Sequence, residues 1–270
     1  VKLTLPVLYD AVDRAIERQD RQGELHGQSV SCTKGCTHCC YLLVTAMFVE
    51  AVSIIRHLRD QGRLDEFLRV EGPRLAQLAE VMEHPDTNTL SYVQRHERCP
   101  MLAPNGTCTV YEQRPLTCRC YSVISDPRDC AVPGGDVLVP DRRQLRGEGL
   151  EALLHLSSPQ VPPTMLPLPV GLQWGAILVL QGEGALRALL RGHPGNPYED
   201  PDRATLYWAR LETMDGKTYD IRTTEDGEAI GCRVCGTVSY HPEDVAHRYC
   251  GSCHLYHEQR QRGAPPKGTR

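Results

Sequence analysis

The apolar positions of the first sixty residues recur at helical spacing. Leu5, Leu8, Val12 and Ile16 form one stripe, with Tyr9 and Ala15 beside it, behind a start signal of Thr4 as N-cap and Pro6 in the first turn. This predicts a helix that ends near Gly23, and the polar stretch from Gly27 to Ser31 reads as a loop. A short apolar run, Tyr41 to Val44, leads into a second helix. There Phe48, Ala51, Val52, Ile55 and Leu58 share a face, Glu50, Arg56 and Arg59 lie off it, and Gly62 stops it. In a third helical stretch Gly72-Pro73 breaks or kinks the chain before Leu75, Leu78, Ala79 and Met82 resume the period. Pro85 to Asn88 reads as a turn, Leu145 to Leu156 as a helix, and Gly171 to Leu190 as two helical pieces interrupted at Gly182-Glu183-Gly184. Pro159 to Pro169 is too proline-rich for regular structure and reads as a linker or surface strap.

The pattern changes after His193-Pro194-Gly195-Asn196-Pro197. Thr205 to Thr213 and Lys217 to Thr223 are rich in β-branched and aromatic residues and are joined by Met214-Asp215-Gly216, which is a hairpin signal. The end, Gly263 to Arg270, is basic and contains Pro and Gly, and reads as a disordered tail.

Cysteine changes the picture most. All 13 cysteines fall in three groups: Cys32, Cys36, Cys39 and Cys40; Cys99, Cys108, Cys118, Cys120 and Cys130; and Cys232, Cys235, Cys250 and Cys253. Such clusters are disulfides, metal ligands or redox thiols. The chain starts straight into an amphipathic pattern with no long apolar leader, and its most apolar run, Val170 to Leu180, is interrupted by Gln173. A bilayer needs roughly 20 apolar residues. The expectation is a cytoplasmic protein without membrane insertion, whose odd number of cysteines serves metal rather than disulfides. A core poor in aromatics, with two Phe and two Trp, gains from such crosslinks. Net charge is −4, so no overall field favours nucleic acid.

Cys232-x2-Cys235 and Cys250-x2-Cys253 read as a zinc ribbon: each knuckle brings two sulfurs to one ion, and two knuckles complete a closed, structural tetrahedron. Arg233, Arg248, Arg260 and Arg262 lie among Glu243, Asp244 and Glu258, a mixed charge that makes nucleic acid the minority reading for its partner and leaves an unidentified protein partner open.

The first two groups carry a resemblance. C-x3-C-x2-C-C, then Cys99-Pro100 with Leu102, then Gly106 and Cys108, then Tyr111, Glu112, Arg114, Pro115, Cys118 and Arg119, resemble in order the zinc- or iron-chelating cysteine-cluster family of the YkgJ type. Cys130 fits a further family cysteine, and Cys120 has no counterpart. The resemblance implies that Cys32, Cys36, Cys39, Cys40, Cys99, Cys108, Cys118 and Cys130 are metal ligands, holding zinc or an iron–sulfur cluster such as [4Fe-4S]. One relative, the flagellin lysine methylase, carries a similar cluster, so a protein-modifying enzyme is an alternative that the resemblance permits without implying. Adjacent Cys39 and Cys40 should diverge and serve two metals, or one metal and a packed position. Arg114 and Arg119 flank Cys118 and either donate to sulfur or pair with Glu112. The spacing of Cys32, Cys36 and Cys39 also matches that of radical S-adenosylmethionine enzymes, but the chain lacks the repeated strand–helix units of a partial barrel. No G-x-S-x-G, P-loop, H-E-x-x-H or dinucleotide fingerprint occurs, and no catalytic residue is assigned.

The expected class is therefore α+β: an irregular, metal-knotted, mainly helical N-terminal domain over 1–193, a small β zinc-ribbon domain over 197–262, and a tail over 263–270.

Overall fold

Helix α1 (Leu5–Leu25) opens the chain in a computed structural model that describes residues 2–33, 35–84, 87–131, 137–212, 217–224, 227–233, 237–250 and 255–257. Its buried face is Leu8, Tyr9 and Val12, and the helix runs two residues beyond Gly23. Strand β1 (Thr45–Met47) leads directly into α2 (Phe48–Asp60) and α3 (Leu64–Glu83), followed by α4 (Thr89–Gln94), which Asn88 starts with a side-chain cap on the Ser91 N–H. Short helix α5 (Leu116–Cys120) sits inside the cysteine stretch, and α6 (Arg143–Leu156) follows it. Strand β2 (Met165–Pro167) returns against β1, and α7 (Leu168–Gln181), α8 (Glu183–Leu189) and α9 (Pro201–Ala209) complete the helical part. The C-terminal part is β3 (Tyr219–Thr224), β4 (Gly227–Cys232), β5 (Val238–Ser239), α10 (Pro242–His247), β6 (Tyr249–Cys250) and β7 (Leu255–Tyr256). Strands β3, β4 and β5 form one antiparallel sheet, and β6 and β7 a second. The architecture is α+β and mainly helical.

The core is built on α2. Phe48, Ala51 and Val52 pack with Leu78, Ala79 and Met82 of α3 and Val170 and Trp174 of α7; Ile54, Ile55 and Leu58 pack with Leu64, Leu75 and Leu172. Helices α2 and α7 meet closely because Gly171 and Gly175 lie one turn apart. A Cβ on Gly171 would stand 2.9 Å from the Ala51 Cβ, with no flexible side chain to yield. Gly171→Ala is therefore expected to lower stability by about 1–3 kcal/mol through overpacking. An unchanged denaturant midpoint would show that the helices can separate without loss.

Several sequence expectations are corrected. The proline-rich stretch 159–169 contains β2, registered Thr45↔Pro167, Ala46↔Leu166 and Met47↔Met165. Pro167 closes the strand, where its missing N–H costs least, and the next residue's N–H donates to the Val44 carbonyl. Helix α3 continues through Gly72-Pro73, because its anchors Leu64, Leu75, Leu78 and Met82 are buried on both sides of the proline. Residues 205–209 are helical rather than a strand: Asp200 caps the Arg203 N–H and Pro201 begins the helix, and burial of Trp208 outweighs β propensity. The hairpin lies further on, between β3 and β4, and the expected turn at Met214-Asp215-Gly216 lies outside the described residues. Around the expected boundary, Asn196 is buried, and Trp208 and Leu211 join the first core cluster, with the Trp208 indole N–H donating to the Gly195 carbonyl. No described helix is long and apolar enough to cross a membrane.

Candidate metal centre

Four short devices hold the N-terminal cysteines. Residues His38–Tyr41 form a 3-10 turn bearing Cys39 and Cys40, after a turn in which the Cys36 N–H donates to Thr33. The Cys99 N–H donates to the Cys40 carbonyl at 2.6 Å, which joins the first cysteine group to the second. Residues 99–109 then double back. The Leu102 N–H donates to Cys99, Thr109 to Met101, and Ala103 to Thr107, while Gly106 takes φ +78 at the tip, a conformation that disfavours side chains. Helix α5 presents Cys118. Beyond it, Val123 lies beside Ser31, and a 3-10 turn at Pro127–Ala131 carries Cys130, whose sulfur is 3.9 Å from the Tyr121 hydroxyl.

A buried carboxylate fixes α5. Glu50 accepts from the Tyr9 hydroxyl at 2.9 Å, the Leu116 N–H at 2.7 Å and the Met47 N–H at 2.9 Å. It therefore ties α1, the start of α2 and the start of α5 to one point. Burial is the main cause that raises its pKa, against the three donors. By periodicity Glu50 falls off the apolar face; in the structure it is almost fully buried. Arg119 makes the parallel tie. It is buried, pairs with Asp13 of α1, donates to the carbonyls of Glu112 and Arg114, and lies 3.9 Å over the Tyr9 ring. Its donors are thus committed to scaffolding rather than to sulfur.

Seven of the eight family cysteines surround one cavity of about 370 Å³: Cys32, Cys36, Cys39, Cys40, Cys99, Cys108 and Cys118. Cys130 stands outside its wall but within electrostatic range of Cys32, Cys36 and Cys39. All nine N-terminal cysteines are free thiols. The thiols ring the space rather than meet at a point, and among the described residues no three Cys, His, Asp or Glu side chains are placed to hold a single ion. Backbone N–H groups donate to two sulfurs: Met101 to Cys99 at 3.4 Å and Val123 to Cys32 at 3.3 Å. The cavity wall also holds three buried polar atoms with no hydrogen-bond partner: Arg114 Nε, Arg142 Nε and Ser122 Oγ. Such donors beside uncharged thiols lack acceptors; thiolates on a metal would supply them. The residues present therefore fit a thiolate-bound metal.

The thiols divide by the neighbours that raise their pKa. Cys118 is held well above its ordinary value, first by burial and then by the charges of Cys99, Cys39 and Cys108. Cys99 is pushed up to about 12, chiefly by burial, with Cys108 and Cys39 adding. Cys32 is raised by burial, with Cys36 and Cys39 adding. Cys39 is common to both sets, raised first by a hydrogen bond with the Cys40 thiol. With no metal bound, the folded form holds the Cys99 proton above pH 9.0, where the unfolded chain has released it. Its contribution to stability is full below that pH and is lost as pH rises toward 12. The denaturant midpoint of metal-stripped protein is expected to fall across this window, and that of loaded protein to fall much less. A flat profile for the stripped form would contradict burial of Cys99.

Cys120 is separate. On α5 it lies two residues from Cys118, about 200° around the helix, and it packs against the cluster of Leu8, Val12, Met47, Leu116 and Leu153. The charges that act most on it come from Arg142, Arg146, Glu50 and Asp13. Arg142 is the residue that sequence reasoning missed. It is buried, pairs with Asp20 of α1 and lines the thiol cavity, yet it sits beyond the cysteine motifs, where no spacing marks it. Arg114 lines the thiol cavity, with its guanidinium 4.0 Å over the Tyr111 ring. In the C-terminal part, Cys232 of β4 and Cys250 of β6 are both buried and line one small pocket with Ile230, Thr237, Ser239 and Tyr249. Cys235 and Cys253 lie outside the described residues.

Comparison with known families matches residues 31–133 to the CxxCxxCC family, described as "Putative zinc- or iron-chelating domain". No curated protein and no solved structure matches the chain.

Proposed function

From the match of residues 31–133 to the CxxCxxCC family model, we propose a metal protein with two separate centres. The N-terminal centre uses Cys32, Cys36, Cys39, Cys40, Cys99, Cys108, Cys118 and Cys130. Cys99, Cys39 and Cys108 act electrostatically on Cys118, and Cys32, Cys39 and Cys36 on Cys130, so Cys39 is common to both groups. The C-terminal centre is a structural zinc held by Cys232, Cys235, Cys250 and Cys253. The described half of this ribbon supports it, with two buried cysteines brought together across β4 and β6.

One observation carries the reading: seven thiols and three unpartnered polar atoms line the same buried space. The ring arrangement favours a polynuclear centre, since bridging atoms reach sulfurs that one ion bound at about 2.3 Å does not. Arg114 and Arg142 would donate to its sulfurs and offset the negative charge that thiolates leave on a divalent metal. Anaerobic purification with elemental analysis and a visible spectrum tests this. Iron with thiolate-to-iron absorbance identifies an iron–sulfur cluster in the N-terminal part and zinc in the ribbon; colourless protein with zinc alone identifies zinc in both. Protein free of bound metal refutes the proposal.

A further inference from the structure

Helix α1 is held differently along its two halves. Leu8 and Val12 are buried against Met47, Leu116 and Leu153, with Leu5 and Ile16 beside them, and the Tyr9 hydroxyl donates to Glu50. Beyond Ile16 no residue of the helix joins an apolar core cluster, and residues 17–19, 21, 22 and 24–29 are exposed. Among the described residues, one ion pair, Asp20 with Arg142, ties residues 17–30 to an element other than α1 itself. The next fixed point is Ser31, whose N–H and hydroxyl donate to the Val123 carbonyl. This lightly held stretch is also a wall of the thiol cavity, which Ile16, Asp20 and Val30 line beside Cys32 and Cys36. A helical segment shorter than about 12 residues is marginal in water without tertiary packing. Residues 17–25 are such a segment, and they can unwind while Leu8 and Val12 hold the first half in place. Arg142 serves both sides of this wall. Its buried guanidinium pairs with Asp20, while its Nε, buried at the cavity, has no partner.

Resting on the metal-centre reading above, we infer that residues 17–30 form a lid over the thiol cavity, latched by the Asp20–Arg142 pair, and that unwinding of the end of α1 is the way in for metal. Opening breaks the latch: Asp20 moves into water, and Arg142 is left in a buried site without its carboxylate. In a filled cavity the Arg142 Nε gains the acceptor it lacks, from thiolates on the metal. That second bond fixes the guanidinium where it pairs with Asp20. A filled cavity therefore holds its lid shut more firmly than an empty one, and one side chain couples filling to closure.

The test follows amide hydrogen exchange and zinc uptake in full-length protein stripped of metal under reducing, anaerobic conditions. Uptake at the N-terminal centre is read as protection of Cys32 and Cys36 from a pulse of N-ethylmaleimide, on peptides separate from those of the ribbon. In the stripped protein the amides of Asp20 to Leu25 are expected to exchange at least tenfold faster than those of Tyr9 to Ile16, and to slow once zinc is bound. Asp20→Asn keeps the size of the side chain and removes the charge of the latch. It should speed exchange at the end of α1 and zinc uptake alike, each at least tenfold, with exchange of Tyr9 to Ile16 unchanged. Removing a carboxylate from the cavity wall would by itself slow the arrival of a cation, so faster uptake reports opening. Unchanged or slower uptake, although the end of α1 exchanges faster, would overturn the lid as the entry. One common exchange rate along α1, set by global unfolding, would overturn the lid itself. If zinc and iron(II) both fail to protect Cys32 and Cys36 in either form, the metal centre falls and its entry with it; the exchange pattern tells that result apart from a lid that stays shut.

Discussion

Replacing Cys118 with serine removes metal from the N-terminal centre and costs several kcal/mol of stability, whereas Cys120→Ser leaves metal content unchanged. The first effect follows from position. Cys118 faces three other thiols across the cavity on a helix pinned by Glu50. In a structural thiolate site, metal binding supplies free energy of folding, on the order of 10 kcal/mol for a whole site, and the loss of one ligand forfeits a share of it. Cys120 faces the other way, into the apolar contact between α1 and α6. Serine there replaces a packed sulfur with a hydroxyl and should cost about 1–3 kcal/mol through burial of an unpaired polar group, with metal retained. Any metal held by the proposed C-terminal ribbon should survive both changes. Elemental analysis with thermal unfolding reads the two effects apart, and equal metal loss in both variants would make Cys120 a ligand.

Glu50→Ala is expected to be as damaging without touching a sulfur. It leaves the Leu116 N–H, the Met47 N–H and the Tyr9 hydroxyl without their acceptor in a buried site. Each buried donor so orphaned costs about 1–3 kcal/mol, so a loss of at least about 3 kcal/mol is expected, together with weaker metal binding as α5 loosens. Glu50→Gln separates positioning from charge. Its carbonyl can still accept from Leu116 and Tyr9, and only the Met47 bond is given up, so about 1–3 kcal/mol should be lost and metal kept. A Gln variant as impaired as the Ala variant would mean that the negative charge, rather than the hydrogen bonds, is what α5 needs.

Much of the cavity's lining was legible because thiol chemistry is written in residue identity: C-x3-C-x2-C-C and R-P-L-x-C name stretches whose cysteines the structure brings to one cavity. The main helices were legible for a related reason, since Leu8, Val12, Ile55 and Leu78 repeat at the period their burial requires. What escaped were features set by partners far along the chain. Strand β2 exists because β1, more than a hundred residues earlier, supplies its ladder. Helix α9 looked like a strand because Thr205, Tyr207 and Trp208 favour β structure, although Asp200-Pro201 was a start signal in plain view. Glu50 and Arg142 carry ordinary surface chemistry in sequence; only tertiary contacts with Tyr9, Leu116 and Asp20 reveal them as supports of the centre.

The hydrogen bond from the Cys99 N–H to the Cys40 carbonyl sets an order of assembly. The two residues are about 60 positions apart, and the segment between them is α2, α3 and α4, so the joint forms only after those helices have turned the chain back on itself. A small zinc finger is organised by its ion. Here the intervening helices, with Phe48, Ile55, Leu75 and Met82 buried among them, also fix how far apart the two thiol groups stand.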